Sequence, residues 1–514
     1  MSPNRRIFLN IVATYGRSLY ALVIGLFCGR WTLMALGEVD YGLFGVVAGM
    51  VGFLGFLNGI MSGAVGRFFS VAIGEESTNY EQGLEKCRRF FAAALVGNSV
   101  LPLLVVSIGY PLGIWCVQNV LNMPTERIAA CMWVWRFVII SFAVNSIVVP
   151  FNAIYGAKQY IAELTVYSFI TTTLNVLFAY YMISHPGDWL AKYACWTCFV
   201  SVVPSIVIAV RAYWLFPECR FSCRYLLCVG QLKEMISFSF WNLISWLGGV
   251  LAIQGCSVMI NRHFGPVANA GVNVGNSLSG HTQTLTGSLI GAFSPAIMNA
   301  YGAGDLRRMS FLITGVNKIG VICILIFAIP LSIEVDEVLH LWLKTPPLYA
   351  AGCCELALLH AVVDKFSIGY LIGINAKGNI ARFQLFVGST WLFVLPVAYV
   401  FVLMGLGVYS ALIALVIGRV YVVFSRVWFA RKLLNADMTS WLKSVFFPLL
   451  FVIAVSWFAG YFATYRFAPS FGRICLTTLV VEIVLLPLAW FVVLNSLERS
   501  SVLCRVRRFF LSRR

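Results

Sequence analysis

Ile7–Leu36 reads IFLNIVATYGRSLYALVIGLFCGRWTLMAL, an apolar run that carries two arginines, Arg17 and Arg30. It leads directly into Gly37-Glu38-Val39-Asp40-Tyr41-Gly42-Leu43-Phe44. A membrane-crossing helix needs about 20 mainly apolar residues, so the run is long enough to span a bilayer. At about 1.5 Å per residue, Arg17 lies roughly 15 Å along it, near the bilayer centre. A charge there costs about 2.5–3.5 kcal/mol on insertion scales, so it must face protein, water or an anionic ligand. Asn10, Thr14 and Arg17 follow i, i+4, i+7 and share one helical face. That face is expected to line a wet central cavity.

The rest of the chain has the same character. Its 514 residues are 60% hydrophobic and 11% charged, against the roughly 25% charged residues of soluble domains. This is the composition of an integral membrane protein. The first run is too long for a signal peptide and is expected to remain as the first span. Fifteen cysteines are scattered, most of them in apolar runs. Cys195-Trp196-Thr197-Cys198 lies inside a span, with no second pair or nearby histidine to complete a metal site. No metal and no cofactor is expected.

Apolar runs of helix length recur to Leu494, giving an all-α polytopic protein of about fourteen transmembrane helices. The net charge of +17 would suggest nucleic acid in a soluble protein. Here its distribution accounts for it. With the N-terminus inside, cytoplasmic segments hold roughly 25 basic residues and outer ones roughly 7, alternating in almost every loop. Lys318 and Arg426 are counted inside; Arg30, Arg127, Lys192, Arg262, Lys344, Arg466 and Arg473 outside. Both termini are therefore expected on the cytoplasmic side, with no nucleic-acid partner.

Five segments follow: an N-terminal lobe of six spans (1–216), a linker (217–237), a second lobe (238–432), two appended spans (433–498) and a basic tail (499–514). Pro217–Glu234 reads either as a plain linker or as an interfacial helix with Phe221, Tyr225 and Leu226 facing the membrane. The lobes echo each other. Gly37-x-Val39 opens the second span and Gly74 closes it; Gly265-x-Val267 opens the eighth and Gly302 closes it. Same-direction repeats of this kind are a transporter architecture.

Two further spans carry polar groups. In the eighth, Asn269, Asn273, Asn276, Gly280, Gln283 and Gly287 form one polar, small-residue face. Lipid cannot satisfy these amides, so a neighbouring helix or a watery cavity must. In the tenth, His360 and Asp364 stand at i, i+4 beside Lys365, and Arg419 sits mid-span in the twelfth. Asp364 with Lys365 or Arg419 makes a neutralised cluster, either a structural ion pair or a site for a coupling cation or proton. Arg67, Arg136 and Arg262 lie near span ends, where snorkelling explains them. Glu482 is mid-span with no evident partner. In the second span, Gly45/Gly49/Gly52 and Gly55/Gly59/Gly63 are spaced for close helix packing or for bending. No HExxH, no phosphate-cradling glycine loop and no paired carboxylates in an outer loop appear. A membrane-embedded glycan polymerase or transferase would be expected to show a large loop or a clustered His/Asp site.

The pattern Asn10…Tyr15-x-Arg17…Arg30…Leu36-Gly37-x-x-Asp40-Tyr41-Gly42-Leu43-Phe44…Phe56-Leu57-Asn58-Gly59…Arg67-Phe68…Ser70…Gly74 resembles bacterial polysaccharide-biosynthesis flippases of the O-antigen type. These belong to the multidrug/oligosaccharidyl-lipid/polysaccharide exporter superfamily (MATE/MOP). Pro150-Phe151-x-Ala153 and Phe216-Pro217-Glu218-Cys219-Arg220-Phe221 extend the likeness. The resemblance implies two lobes around a cavity that opens to either side of the bacterial inner membrane in turn. Its implied cargo is an undecaprenyl-pyrophosphate-linked oligosaccharide, and its implied role is that of a transporter, not an enzyme. It would assign Arg17 and Arg30, with Arg67 and Arg262, to the pyrophosphate, and Asn269, Asn273, Asn276 and Gln283 to sugar hydroxyls. Drug-exporting relatives use cavity acids to couple Na⁺ or H⁺. A cation-coupled multidrug or metabolite exporter is the alternative, with Asp364, Lys365, His360 and Arg419 as coupling candidates.

Overall fold

A computed structural model describes residues 3–76, 79–119, 124–185, 187–220, 229–343, 346–496 and 498–500. Phe221, Tyr225 and Leu226 of the expected interfacial segment, Lys344 and the tail beyond Ser500 lie outside these residues. Among the described residues there are helices and no strand.

The helices are α1 (Pro3–Glu76), α2 (Tyr80–Leu104), α3 (Tyr110–Asn119), α4 (Ile128–Ala157), α5 (Ile161–Ser184), α6 (Leu190–Leu215), α7 (Val229–Gly291), α8 (Ser294–Gly302) and α9 (Leu306–Ile333). They continue with α10 (Val335–Leu343), α11 (Ala350–Lys365), α12 (Ile368–Lys377), α13 (Ala381–Leu403), α14 (Ser410–Leu434), α15 (Met438–Trp441), α16 (Phe447–Thr464) and α17 (Phe471–Leu488). Among the described residues ten helical segments are long and apolar enough to cross a membrane, some of them two adjoining helices and one of them the first arm of α7, and the pair α11–α12, bent by 47°, makes an eleventh. The protein is a multi-pass membrane protein. The spans expected at Ile7–Leu36, Tyr41–Ser70 and Val267–Ala300 are helical over most of their length but fall outside that set, so the expected fourteen is not reached by this measure.

Both long helices are broken at a glycine. Gly37 has φ 74° and ψ 169°, and Gly265 has φ 84° and ψ 176°. This backbone region is essentially open only to glycine, because a Cβ would meet its own backbone. The two glycines that open the echoed spans thus make the same break.

The chain divides into two compact units, Met1–Phe240 with Met298–Asp305 and Trp241–Ile297 with Leu306–Arg514. In the first, α1 packs on α2, α4 and α5, and α4 on α6. A core of Val47, Val134, Trp135, Ile139 and Leu190 sits among them. Asn10 is buried; its amide donates to Gln159 O (2.9 Å) and its carbonyl accepts from Ala162 N (3.0 Å). It therefore clasps the turn between α4 and α5, where Gln159 has φ 62°. Thr14, also buried, bonds back to Asn10 O (2.6 Å). Of the three residues expected on a wet face, two hold the fold and only Arg17 faces open space, because a backbone turn arriving from elsewhere took the asparagine.

At one end of this unit Lys158 pairs with Glu76 (3.1 Å) and with fully buried Glu218 (2.5 Å). Nearby, a Cβ on Gly74 would stand 2.2 Å from Asn299 O, and one on Gly302 would stand 2.0 Å from Val71 O. The closing glycines of the echoed spans meet each other. Gly59 and Gly63 face open space and carry no tight packing; the surroundings of Gly45, Gly49, Gly52 and Gly55 lie outside the described side chains.

In the second unit, a Cβ on Gly275 of α7 would come within 2.7 Å of Cys353 O of α11, and one on Gly248 within 2.7 Å of Gly388 O of α13. Close backbone approach explains both glycines. Lys318 of α9 is fully buried on Glu498 (2.7 Å), and Arg473 of α17 binds buried Glu334 (2.6 Å). Arg426 is likewise buried inside α14. Lys318 and Arg426 are thus structural groups inside helices rather than the cytoplasmic charges they were expected to be. A charge within an apolar helix stays there when a carboxylate reaches it.

Candidate functional site

A cavity of about 460 Å³ opens within the first unit. Arg17, Asn152, Tyr167, Ser168, Asn175 and Ser201 supply most of its polar lining, and no acidic side chain lines it. Arg17 is half-buried, and its Nη1 donates to Ser168 Oγ at 3.4 Å. Among the described residues it has no carboxylate partner. Ser168 in turn donates to Leu164 O (3.2 Å), a helix-internal bond that aims its lone pairs at the guanidinium. On the far wall Asn145 sets the hydroxyls: it donates to Ser201 Oγ (2.8 Å) and accepts from Ser205 Oγ (2.7 Å). The amides of Asn152 and Asn175 make no hydrogen bond to any described residue, and so remain available to a ligand. The arrangement offers one cation, several hydroxyls and two free amides, a set that suits an anionic or hydroxyl-rich ligand.

The other expected residues are dispersed. Arg30 and Arg262 are exposed. Arg67 does not snorkel: it is buried, with its guanidinium 4.5 Å from the centre of the Phe68 ring and 4.9 Å from that of Phe238. Along the second arm of α7, Asn273, Asn276, Gly280 and Gly287 are exposed, while Asn269 and Gln283 are half-buried. Asn269 accepts from Ser257 Oγ (2.5 Å), and Gln283 donates to Ser279 Oγ (3.2 Å). The opposite face, with Gly271, Gly275 and Ser279, is the one that packs.

In the second unit Asp364 is the centre of a buried cluster. Its Oδ1 accepts from Arg419 Nη1 and Arg426 Nη1, each at 2.9 Å, and its Oδ2 from Lys365 Nζ at 3.2 Å. Arg419 Nε donates to His360 Nε2 (3.1 Å), and its guanidinium stacks 4.5 Å from the Trp391 ring centre. Sequence reasoning missed Arg426, which periodicity places on the α14 face of Arg419 seven residues on. Asn152 was passed over as the variable position of Pro150-Phe151-x-Ala153. Ser168, Thr171 and Asn175 form a polar stripe on α5 that the spacing argument used for the eighth span would also have found. Glu482 Oε1 is buried with no acceptor or donor among the described residues.

No protein-family model and no curated protein matches the chain. Solved structures do match. A MATE protein in complex with MaL6 aligns with TM-score 0.66 at 15% identity, over 85% of this chain and 99% of that one. The outward-facing conformation of a multidrug resistance MATE family transporter of the MOP superfamily aligns with TM-score 0.65 at 14% identity, over 85% and 96%. The chain has the MATE fold. A third match, a MOP superfamily transporter from Pyrococcus furiosus, gives TM-score 0.66 at 16% identity over 85% and 97%, and is described as having a binding pocket of reversed polarity.

Proposed function

We propose that this protein is a flippase that carries an undecaprenyl-pyrophosphate-linked oligosaccharide, a repeat unit of O-antigen, capsule or exopolysaccharide, across the bacterial inner membrane by alternating access. The observation that supports it most is the cavity of the first unit: Arg17 stands in it with no carboxylate partner and no acid lines it. A half-buried guanidinium in an apolar helix is tolerable when a phosphate-bearing cargo visits it, and guanidinium–phosphate pairing is strong and bidentate. The free amides of Asn152 and Asn175 and the exposed amides of Asn273 and Asn276 suit sugar hydroxyls. Arg30, exposed in the first unit, is free to meet a pyrophosphate, and Arg262, exposed in the second, has no commitment that bars the role expected of it; Arg67, committed to two aromatic rings, has the weaker claim. The polyprenyl tail stays in lipid. Both termini face the cytoplasm in this reading. A relative with reversed pocket polarity is a precedent for a MATE fold with altered cargo.

The alternative exporter needs a membrane acid free to take up Na⁺ or H⁺. Of the coupling candidates read from the sequence Asp364 is the one acid, and both its oxygens are occupied by the chain's own cations; Glu482, mid-span in α17 with a buried Oε1 that no described residue engages, is the acid closer to that requirement. The deciding experiment is complementation in a strain whose surface glycan depends on this protein. Arg17→Ala is expected to insert normally and to abolish surface glycan, with Arg17→Lys partly active. Full complementation by Arg17→Ala would sink the flippase reading. Drug sensitivity of the null strain with intact glycan would replace it with the exporter.

A further inference from the structure

The other buried ion pairs of the second unit are matched one to one: Lys318 with Glu498, and Arg473 with Glu334. The Asp364 cluster is not. Three side chains that carry formal positive charge, Lys365, Arg419 and Arg426, share one carboxylate. All three are largely buried, with side chains 7%, 17% and 7% exposed. The remaining titratable neighbour, His360, accepts a hydrogen bond from Arg419 Nε and so adds no negative charge. Among the described residues no second carboxylate comes within ion-pairing distance of any of them. At about 1.5 Å per residue, Arg419 lies roughly 14 Å from the start of α14 and Arg426 roughly 12 Å from its end, so the surplus is well inside the membrane. Hydrocarbon does not tolerate two uncompensated charges.

Unused donors mark where compensation would come. Arg426 Nε is buried with no acceptor among the described residues. Arg419 Nη2 has none among the described residues, and the Arg419 side chain is the most accessible of the three. Lys365 Nζ spends one of its three N–H bonds on Asp364. Trp391 covers one face of the Arg419 guanidinium, which directs a ligand to its free edge.

We propose that this cluster is an intramembrane binding site for a small inorganic anion, held by Arg419, Arg426 and Lys365, with Asp364 fixing their geometry. The same arrangement disfavours a monovalent cation, which would have to displace an arginine from Asp364. The inference concerns the second unit alone and does not depend on the cargo proposed for the first.

The test is thermal unfolding of the full-length protein in lipid nanodiscs, in sodium chloride, sodium phosphate and sodium gluconate at matched ionic strength. Chloride is expected to raise the midpoint by about 2–4 °C over gluconate, saturating with concentration. Arg419→Gln and Lys365→Gln are expected to lose the shift, and Arg17→Gln to keep it. Arg426→Gln is expected to lose it too; should that variant not fold, the other two carry the test. Asp364→Asn, which deletes the resident negative charge, is expected to lower the half-saturating chloride concentration. A shift with phosphate and none with chloride also supports the site and makes its ligand an oxyanion. Equal midpoints in all three salts, or a shift that survives both Arg419→Gln and Lys365→Gln, overturns the proposal. So does a sodium-dependent shift, measured against choline chloride, that Asp364→Asn abolishes.

Discussion

Lys158, just past the end of α4, holds two carboxylates together. Burial lowers its proton affinity, but Glu218 and Glu76 outweigh that and raise its pKa above the ordinary lysine value. A raised pKa contributes stability that is complete below the ordinary value of about 10.4 and is lost as pH climbs through the higher folded value. The pair is therefore intact at neutral pH and weakens in strong alkali. Lys158→Met leaves fully buried Glu218 without its cation, and breaking a buried pair costs about 3–5 kcal/mol. The expected outcome is a clearly lowered melting midpoint at pH 7, with the wild-type advantage vanishing above the lysine range. An unchanged midpoint would mean that the pair contributes nothing. Neighbouring Cys219 has its thiol pushed up, by burial first and then by Glu218. It is expected to resist alkylation at pH 8 in the folded protein and to react after denaturation, as mass spectrometry would record. At this scale Arg17 was legible from its position in an apolar run. Asn175 was within reach of the same spacing argument, but its silent companion Asn152 was not, because a lone asparagine in a membrane helix looks the same whether it bonds its own backbone, as Asn98 does, or waits for a ligand.

Among the elements, the broken helices stand out. Gly37 and Gly265 have open space where a Cβ would go, so a substitution there is opposed by backbone conformation and not by crowding. Gly37→Ala and Gly265→Ala are each expected to cost about 1–3 kcal/mol. Gly63→Ala, also in open space but helical, is expected to be neutral or slightly stabilising. Equal melting midpoints for all three variants would show that the breaks bear no strain-sensitive role. Gly275→Ala is opposed for the other reason, a carbonyl at 2.7 Å, and is expected to cost about 1–3 kcal/mol through overpacking. Prolines leave their own signature. Three π-helical stretches, Val105–Gly109, Leu442–Phe446 and Ala489–Val493, each lie beside a proline: Pro102, Pro448 and Pro487. Proline removes one backbone donor, and a local widening of the helix re-pairs the carbonyls that lipid cannot satisfy.

For the molecule as a whole, the segment after α17 is part of the second unit's core and not an appendage. Glu498 caps Asn495 N (2.7 Å) and neutralises Lys318, which has no exposure. Ending the chain at Asn495 strands a buried lysine and is expected to cost about 3–5 kcal/mol, read as lower yield and a lower melting midpoint. Lys318→Met in the same truncated chain is expected to restore most of the loss. Failure of that rescue would mean that the segment stabilises by packing alone. The outer surface carries the bilayer's mark: Trp214, Phe393 and Phe491 are 78%, 69% and 68% exposed, which only lipid makes tolerable.

Membrane residence, helical architecture and the two glycine breaks were determined by the sequence alone. Each is a local property: twenty apolar residues bury themselves in lipid wherever they occur, and only glycine accepts the backbone angles of Gly37 and Gly265. The identity of each polar group's partner was decided by tertiary structure. Asn10 was claimed by a turn near residue 160 and Lys318 by Glu498, while Asp364, expected to meet Lys365 or Arg419, took both and Arg426 besides. An intramembrane charge states in the sequence that it needs a partner, but which group answers depends on which helices come to lie side by side.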